Sequence, residues 1–216
     1  MWMLLALLSL QASPDTLWTE TGEGWEFTVA YPGTIGEYPE LQSMLEEYAA
    51  GVVEEFKRQF REYSVDDPFM PDWALDLNFV HEPSPRGMVC VTAWRWDYTG
   101  GAHGNSWTSA FLFSVSENRL MDTVELLGGE ERFVSFAEAV VEYLQSEEFY
   151  DDEWVARGAG PDPGNYHTVI PVPGEDCGIE GYTVIFPPYQ VDCYATGPVE
   201  VFVPAEWEEE SPREMR

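Results

Sequence analysis

The sequence predicts an α+β domain in which two main amphipathic helices pack on an antiparallel or mixed β-sheet. Three observations lead to this fold class. The chain has 216 residues, which is long enough to bury a sizeable core. Its residues are 44% hydrophobic and 15% aromatic, too apolar for a disordered chain. Strand-like and helix-like segments follow one another in the order β-α-β-β-β-α-β-β-β, which implies helices layered on a sheet.

The first half of the chain alternates between these two patterns. Residues 39–63 carry apolar side chains at the i, i+3, i+4 and i+7 positions of a helix that lies on a core, with charged residues on the opposite face. The connection at residues 99–104 holds three glycines and predicts a hairpin between two long strands. The predicted strands of this half cover residues 25–31, 73–79, 88–98 and 105–116.

The second half begins with a glycine pair at residues 128–129, before another amphipathic helix. A loop rich in glycine and proline covers residues 158–164. We predict one domain over residues 13–204, followed by a polar tail at residues 205–216. The apolar stripe of the helix consists of Phe133, Phe136, Ala137, Val140, Val141 and Leu144, and the three closing strands cover residues 166–170, 182–186 and 199–203.

The chain is strongly acidic. It has 40 Asp and Glu against 10 Lys and Arg, a formal net charge of −30. Phosphates would be repelled, which argues against nucleic-acid binding and against anionic membrane surfaces. Basic proteins, cationic ligands or divalent cations are the complementary partners. The alternative is that the acidity serves solubility or reflects a saline habitat, with no partner involved.

The N-terminus indicates export. Residues 1–10 are a short apolar run, and Ala12 stands where a signal peptidase would cut. We therefore predict a signal peptide over residues 1–12 and an extracytoplasmic protein, periplasmic or secreted. Ten apolar residues are too few to span a bilayer, so no stable membrane span is expected. The alternative is a buried N-terminal strand or helix.

Three cysteines bear on the redox state of an exported chain. Cys177 and Cys193 are 16 positions apart and flank a strand-like run, so we predict a disulfide between them. Cys90 lies in a predicted strand and is expected to be a small buried residue. No zinc-ligand spacing occurs, and no metal site or cofactor is predicted.

Two runs could carry chemistry. His103 lies in the glycine-rich segment 100–105 and could act as a general base, or its ring could hydrogen-bond the backbone of a tight turn. No nucleophile motif accompanies it. The carboxylates of residues 151–153 with Asp162 could hold calcium, but their spacing matches no calcium loop, so a solvated charge run is the favoured interpretation. We expect no enzymatic activity.

Residues 186–198, FPPYQVDCYATGP, form the most distinctive segment. Its prolines fix backbone angles and remove donors, so it is not a central strand. Its two tyrosines combine an apolar body with a hydroxyl, as binding loops do. The alternative is a rigid connection whose tyrosines belong to the core. The candidate ligand-binding residues are Pro188, Tyr189, Asp192, Tyr194, Gly197 and Pro198.

Residues 98–105, YTGGAHGN, together with residues 186–198 resemble a family of bacterial extracytoplasmic domains of unknown function. The family is typified by the outer domain of a lysozyme-sensing anti-sigma factor (RsiV-like) and by the non-catalytic domain of a peptidoglycan deacetylase. The resemblance spans roughly residues 23–204, as two subdomains of about 23–104 and 105–204. It implies an α+β fold, and it implies that residues 188–198 match a loop that contributes to lysozyme capture.

The sequence therefore predicts a non-enzymatic, exported cell-envelope domain. Its partner would be a basic protein, such as a lysozyme-like protein, or a cell-wall ligand, and Asp192 would help to attract a basic one. The alternative is a hydrolase of an envelope polymer with His103 as base, which would require a carboxylate within hydrogen-bond reach of that ring. The oligomeric state is left open.

Overall fold

The computed structural model describes residues 14–63, 71–147, 149–175 and 178–207. Two β-sheets, each covered by one long helix, account for most of these residues. The elements are β1 (Pro14–Gly22), β2 (Trp25–Pro32), α1 (Pro39–Tyr63), β3 (Trp73–Glu82), β4 (Met88–Tyr98), β5 (Asn105–Ser114), β6 (Arg119–Met121), α2 (Thr123–Leu126), α3 (Glu130–Ser146), α4 (Asp152–Gly158), β7 (Val169–Pro173), β8 (Ile179–Phe186) and β9 (Val199–Pro204).

The first sheet has six strands in the order β1-β2-β3-β4-β5-β6. Neighbouring strands are antiparallel except β2 and β3, which are parallel. Parallel strands need a long crossover connection, and here it contains α1. The sheet is therefore mixed, and the predicted α+β class is confirmed.

Helix α1 covers one face of this sheet with the stripe that its sequence predicts. Leu41, Leu45 and Ala49 have no exposed surface, and they pack with alternate residues of β3 such as Leu75 and Leu77. The alternation in β3 places these two leucines on the same face of the sheet. This packing buries the long hydrophobic side of α1 along its length.

The second sheet has the order β7-β8-β9 and is antiparallel throughout. Its core centres on Phe136 of α3, whose ring meets those of Tyr166, Tyr182 and Trp207 edge to face. Such pairs stabilise beyond the area that they bury. Trp207 falls in the stretch that the sequence assigns to the polar tail, yet only 3% of it is exposed.

Residues 167–168, which come just before β7, join the two sheets. The backbone N–H of Ala110 in β5 donates to the carbonyl of His167 over 2.8 Å. The Thr168 hydroxyl donates to the Thr108 hydroxyl over 2.9 Å, and the Thr168 carbonyl accepts from the N–H of Ile185 in β8. Residues 167–168 thus lie between β5 and β8, which brings the segment after β8 beside the β4–β5 connection.

Several acidic residues cap local structure. The Asp151 carboxylate accepts from the backbone N–H of Trp154 at the start of α4, and Asp162 does the same for Gly164. Among the described residues no group of His, Cys, Asp and Glu is arranged to hold a metal ion. These two carboxylates are accounted for by capping.

The described residues cover one of the cysteine predictions and leave two other predictions, the disulfide and the signal peptide, untested. Cys90 is fully buried as predicted, and burial, with the nearby charge of Glu82, raises the pKa of its thiol to about 12. Cys193 is exposed, but its predicted partner Cys177 lies outside the described residues, as does the predicted signal peptide at residues 1–12. No helix in the described ranges is long and apolar enough to cross a bilayer.

Candidate functional site

The segment between β8 and β9, residues 187–198, is termed the recognition loop. It opens with a β-turn in which the Pro187 carbonyl accepts from the N–H of Gln190 over 3.1 Å. Pro188 and Tyr189 occupy the central positions, and Tyr189 has a φ of 72°. Proline followed by a residue with positive φ is the pattern of a type II turn. A tyrosine there holds a backbone conformation that favours glycine, and the surrounding contacts must maintain it.

Helix α4 and the residues after it hold this turn in place. The Gln190 amide nitrogen donates to the carbonyls of Gly158 and Asn165, over 2.8 and 2.7 Å. The Trp154 indole N–H donates to the Tyr189 carbonyl over 3.0 Å. Three hydrogen bonds therefore anchor the backbone and side chain of two adjacent loop residues, so the first half of the loop is preorganised.

The second half of the loop is held by internal contacts. The Thr196 hydroxyl donates to the Asp192 carboxylate, across the 3-10 turn Tyr194–Thr196. Gly197 ends the turn with a φ of 77°, a conformation that glycine adopts without steric cost. Asp192 and Gly197 thus shape the loop, while Pro198 is exposed just before β9.

The loop meets the β4–β5 connection through an aromatic cluster of His103, Tyr189 and Tyr194. The His103 ring stacks on Tyr194 with centroids 3.6 Å apart and an angle of 16° between the planes. Tyr189 lies 5.6 Å from Tyr194, centroid to centroid. The Tyr194 hydroxyl donates to the Gly104 carbonyl over 3.0 Å. The two segments that carry the family resemblance are therefore in direct contact.

Two hydrogen bonds hold the His103 ring. Nδ1 lies 2.9 Å from the Gly104 carbonyl oxygen, which can only accept, so Nδ1 carries a hydrogen. Nε2 lies 3.3 Å from the Tyr189 hydroxyl, which can donate or accept. In the described part of the chain no carboxylate hydrogen-bonds to His103. The ring hydrogen-bonds the backbone of its turn, as the second interpretation of this residue anticipated.

The two tyrosines differ in exposure, which the sequence does not distinguish. Tyr189 is 52% exposed at the tip of the turn. Tyr194 is half-buried beneath His103 and tied to Gly104 through its hydroxyl. Tyr189 is therefore the tyrosine whose ring lies at the surface, and Tyr194 packs behind it. Pro188 is half-buried beside Tyr189.

Solved structures of other proteins have a fold similar to that of this chain. No protein-family model matches the sequence, and no curated protein matches it either. Among solved structures, a DUF3298 family protein from Pseudomonas aeruginosa is similar, with a TM-score of 0.53 and 15% identity over 90% of this chain and 93% of that one. A DUF3298 member from Bacteroides fragilis has a TM-score of 0.56 and 17% identity, over 90% of both chains. The chain has the DUF3298 fold. At these identities the similarity shows the fold and nothing about ligands.

This chain has a cleft of about 500 Å³ between its two sheets, beside the recognition loop. We call it the inter-sheet cleft. Tyr48 of α1 and residues of β4 and β5 line one side, and loop residues line the other. The lining residues used below are Arg95, Trp107, Ser109, Tyr189 and Gln190.

Sequence reasoning missed the cleft because its walls come from segments up to about 140 positions apart in the chain. Trp107 reads as one more aromatic residue in an alternating strand, yet it is 42% exposed. Arg95 lies across from it on β4, where the antiparallel register pairs the two residues. The one feature of the sequence that could have indicated the cleft is an arginine and a tryptophan on neighbouring predicted strands.

Proposed function

We propose that this protein with the DUF3298 fold is a non-enzymatic, exported cell-envelope domain that captures a basic protein through the recognition loop. The single observation that carries the proposal is the Tyr189 ring, which is half-exposed on a turn held at both flanks. A rigid loop loses little conformational entropy when a partner docks. Tyrosine is enriched among the residues that dominate binding energy at interfaces.

Charge selects the class of partner. With a net charge of −30, the chain attracts basic proteins over long distances and repels acidic ones. Asp192 lies within the loop itself, a few residues from Tyr189. A lysozyme-like protein has the required charge, and the resemblance to the lysozyme-sensing anti-sigma domain supports that choice.

Export is the second part of the proposal and carries its own prediction. The apolar run at residues 1–10 and Ala12 support cleavage close to residue 12. N-terminal sequencing of the native protein should find a chain that begins near Ser13 in an extracytoplasmic fraction. Recovery of intact Met1 from the cytosol would contradict export.

Tyr189→Gly tests the loop as the binding site. Glycine adopts the same φ without strain, so this variant removes the ring and leaves the turn in place. With egg-white lysozyme as the probe, we expect affinity to fall about 30-fold, equivalent to about 2 kcal/mol. Biolayer interferometry with the immobilised domain measures it. Higher salt should slow association more than it speeds dissociation.

Trp18→Ala is the control, since this aromatic residue is 37% exposed on β1, at the edge of the first sheet and three strands from β4. It should bind as the unmodified domain does. Equal losses in both variants would mean that binding is not localised to the loop. Unchanged affinity of Tyr189→Gly would remove Tyr189 as the anchor.

A further inference from the structure

We propose that the inter-sheet cleft binds an uncharged sugar ring, with the face of Trp107 opposite Arg95 as the stacking surface and Arg95 as a donor to the sugar hydroxyls. Residues 187–190 of the recognition loop form one wall of the cleft, so this site adjoins the protein-binding surface of the loop and shares Tyr189 with it. A cleft of about 500 Å³ falls within the range of small-molecule sites.

The cleft offers aromatic surface that solvent can reach. Trp107 is 42% exposed and Tyr189 is 52% exposed, on opposite walls. Both are held in position, Trp107 by its strand and by the Arg95 guanidinium 4.9 Å from its ring, and Tyr189 by its turn. Rigid aromatic faces favour a flat ligand with an apolar face.

Arg95 supplies unused donors. Its Nη2 donates to the Asp97 carboxylate over 2.6 Å, and the Asp97 side chain is only 5% exposed. Arg95 has five N–H donors, and within the described residues Asp97 is its only hydrogen-bond acceptor. Its Nε–H is buried without a partner among those residues, so the remaining donors that a ligand could meet belong to Nη1 and Nη2. The guanidinium therefore retains N–H groups that a ligand oxygen can occupy.

The acceptors and donors of the opposite wall complement Arg95. The Gln190 amide nitrogen is engaged by two backbone carbonyls, which orients its oxygen but leaves that oxygen without a partner in the described part of the chain. The Ser109 hydroxyl lines the same cleft and can donate or accept. Hydroxyl groups of a sugar ring both donate and accept, and the C–H face of the ring is apolar. One sugar ring can therefore hydrogen-bond the polar groups of the cleft and stack on its aromatic side chains.

Charge argues for an uncharged ligand. The Arg95–Asp97 pair has no net charge, so it provides directed donors without attracting an anion. The net charge of −30 on the chain repels an anion. A cation would approach the Arg95 guanidinium directly. A neutral sugar avoids both kinds of repulsion.

A matched pair of probes tests this assignment on the full domain. Methyl β-glucoside and methyl β-glucuronide differ only in a hydroxymethyl group against a carboxylate. The indole N–H resonance of Trp107, assigned as the signal lost in Trp107→Phe, reports binding by NMR titration. We expect saturable shifts with the glucoside and binding about tenfold weaker or absent with the glucuronide.

Trp107→Ala should weaken glucoside binding about tenfold or more, followed by the shifts of the remaining cleft residues. Trp18→Ala is the control, because Trp18 is similarly exposed at 37% but lies on the edge strand β1. No shift with the glucoside up to its solubility limit, equal or tighter glucuronide binding, or unchanged binding by Trp107→Ala would each overturn the proposal. None of these outcomes depends on lysozyme capture, so the two proposals fail separately.

Discussion

Gly158→Ala should lower the free energy of unfolding by about 3 kcal/mol and displace the recognition loop. A Cβ atom at this position would lie 1.8 Å from the carbonyl oxygen of Gln190 and 2.7 Å from its carbonyl carbon. Backbone cannot move aside as a flexible side chain can, so either α4 or the loop must shift, and overpacking of this kind costs up to about 3 kcal/mol. The shift would also break the bond from the Gln190 amide to the Gly158 carbonyl.

Urea denaturation measures the loss of stability. Hydrogen exchange of the Gln190 backbone N–H reports whether the turn of the recognition loop opens more often. Gly51→Ala is the matched control, because Gly51 lies in α1 and a Cβ there meets nothing within 4 Å. Alanine in a helix is expected to stabilise by about 0.5–1 kcal/mol. Equal stability of Gly158→Ala and the unmodified domain would show that α4 and the recognition loop are not in close contact at Gly158.

Arg95→Met should lower the free energy of unfolding by about 3 kcal/mol. Removal of one partner leaves the buried Asp97 carboxylate without its cation, and uncompensated buried charges are costly. Because the Arg95 side chain is 21% exposed, we place the cost at the low end of the range for buried pairs. Thermal and urea unfolding measure it.

The double variant Arg95→Met with Asp97→Asn removes the charge as well and should recover part of the loss, which a double-mutant cycle quantifies. Arg58→Met is the control. Arg58 pairs with Glu55 and Glu62 on the exposed face of α1, where water screens the charges and the ion pairs contribute little to stability. An Arg95→Met variant no less stable than Arg58→Met would mean that Asp97 does not depend on this pair.

The helices and long strands could be predicted because each carries its own periodic signal. The stripe of α1 gave bounds of 39–63 that agree with the structure, and the glycine-rich connection correctly predicted the β4–β5 hairpin. Helix α4 was missed because its acidic start resembles a solvated charge run, although Asp151 is its cap. Strand β1 was missed because its apolar residues are few and exposed, as on a sheet edge.

The site was predictable only in part. Prolines and tyrosines in one short segment pointed to the recognition loop, because local composition determines local rigidity. The contact of Gly158 with Gln190 depends on how α4 docks, and the pairing of Arg95 with Trp107 in a cleft depends on how two sheets pack. Such long-range arrangements leave no periodic signal in the sequence, and they also separate the exposed Tyr189 from the supporting Tyr194.

The aromatic cluster joins residues from distant parts of the chain, and this has a consequence for the order of biosynthesis. His103 and Gly104 are translated long before Tyr189 and Tyr194, and domains form from the N-terminus onward during synthesis. All six strands of the first sheet have been synthesised once residue 121 is added, whereas the recognition loop has not yet been made. The proposed capture would therefore require a chain that extends past residue 194.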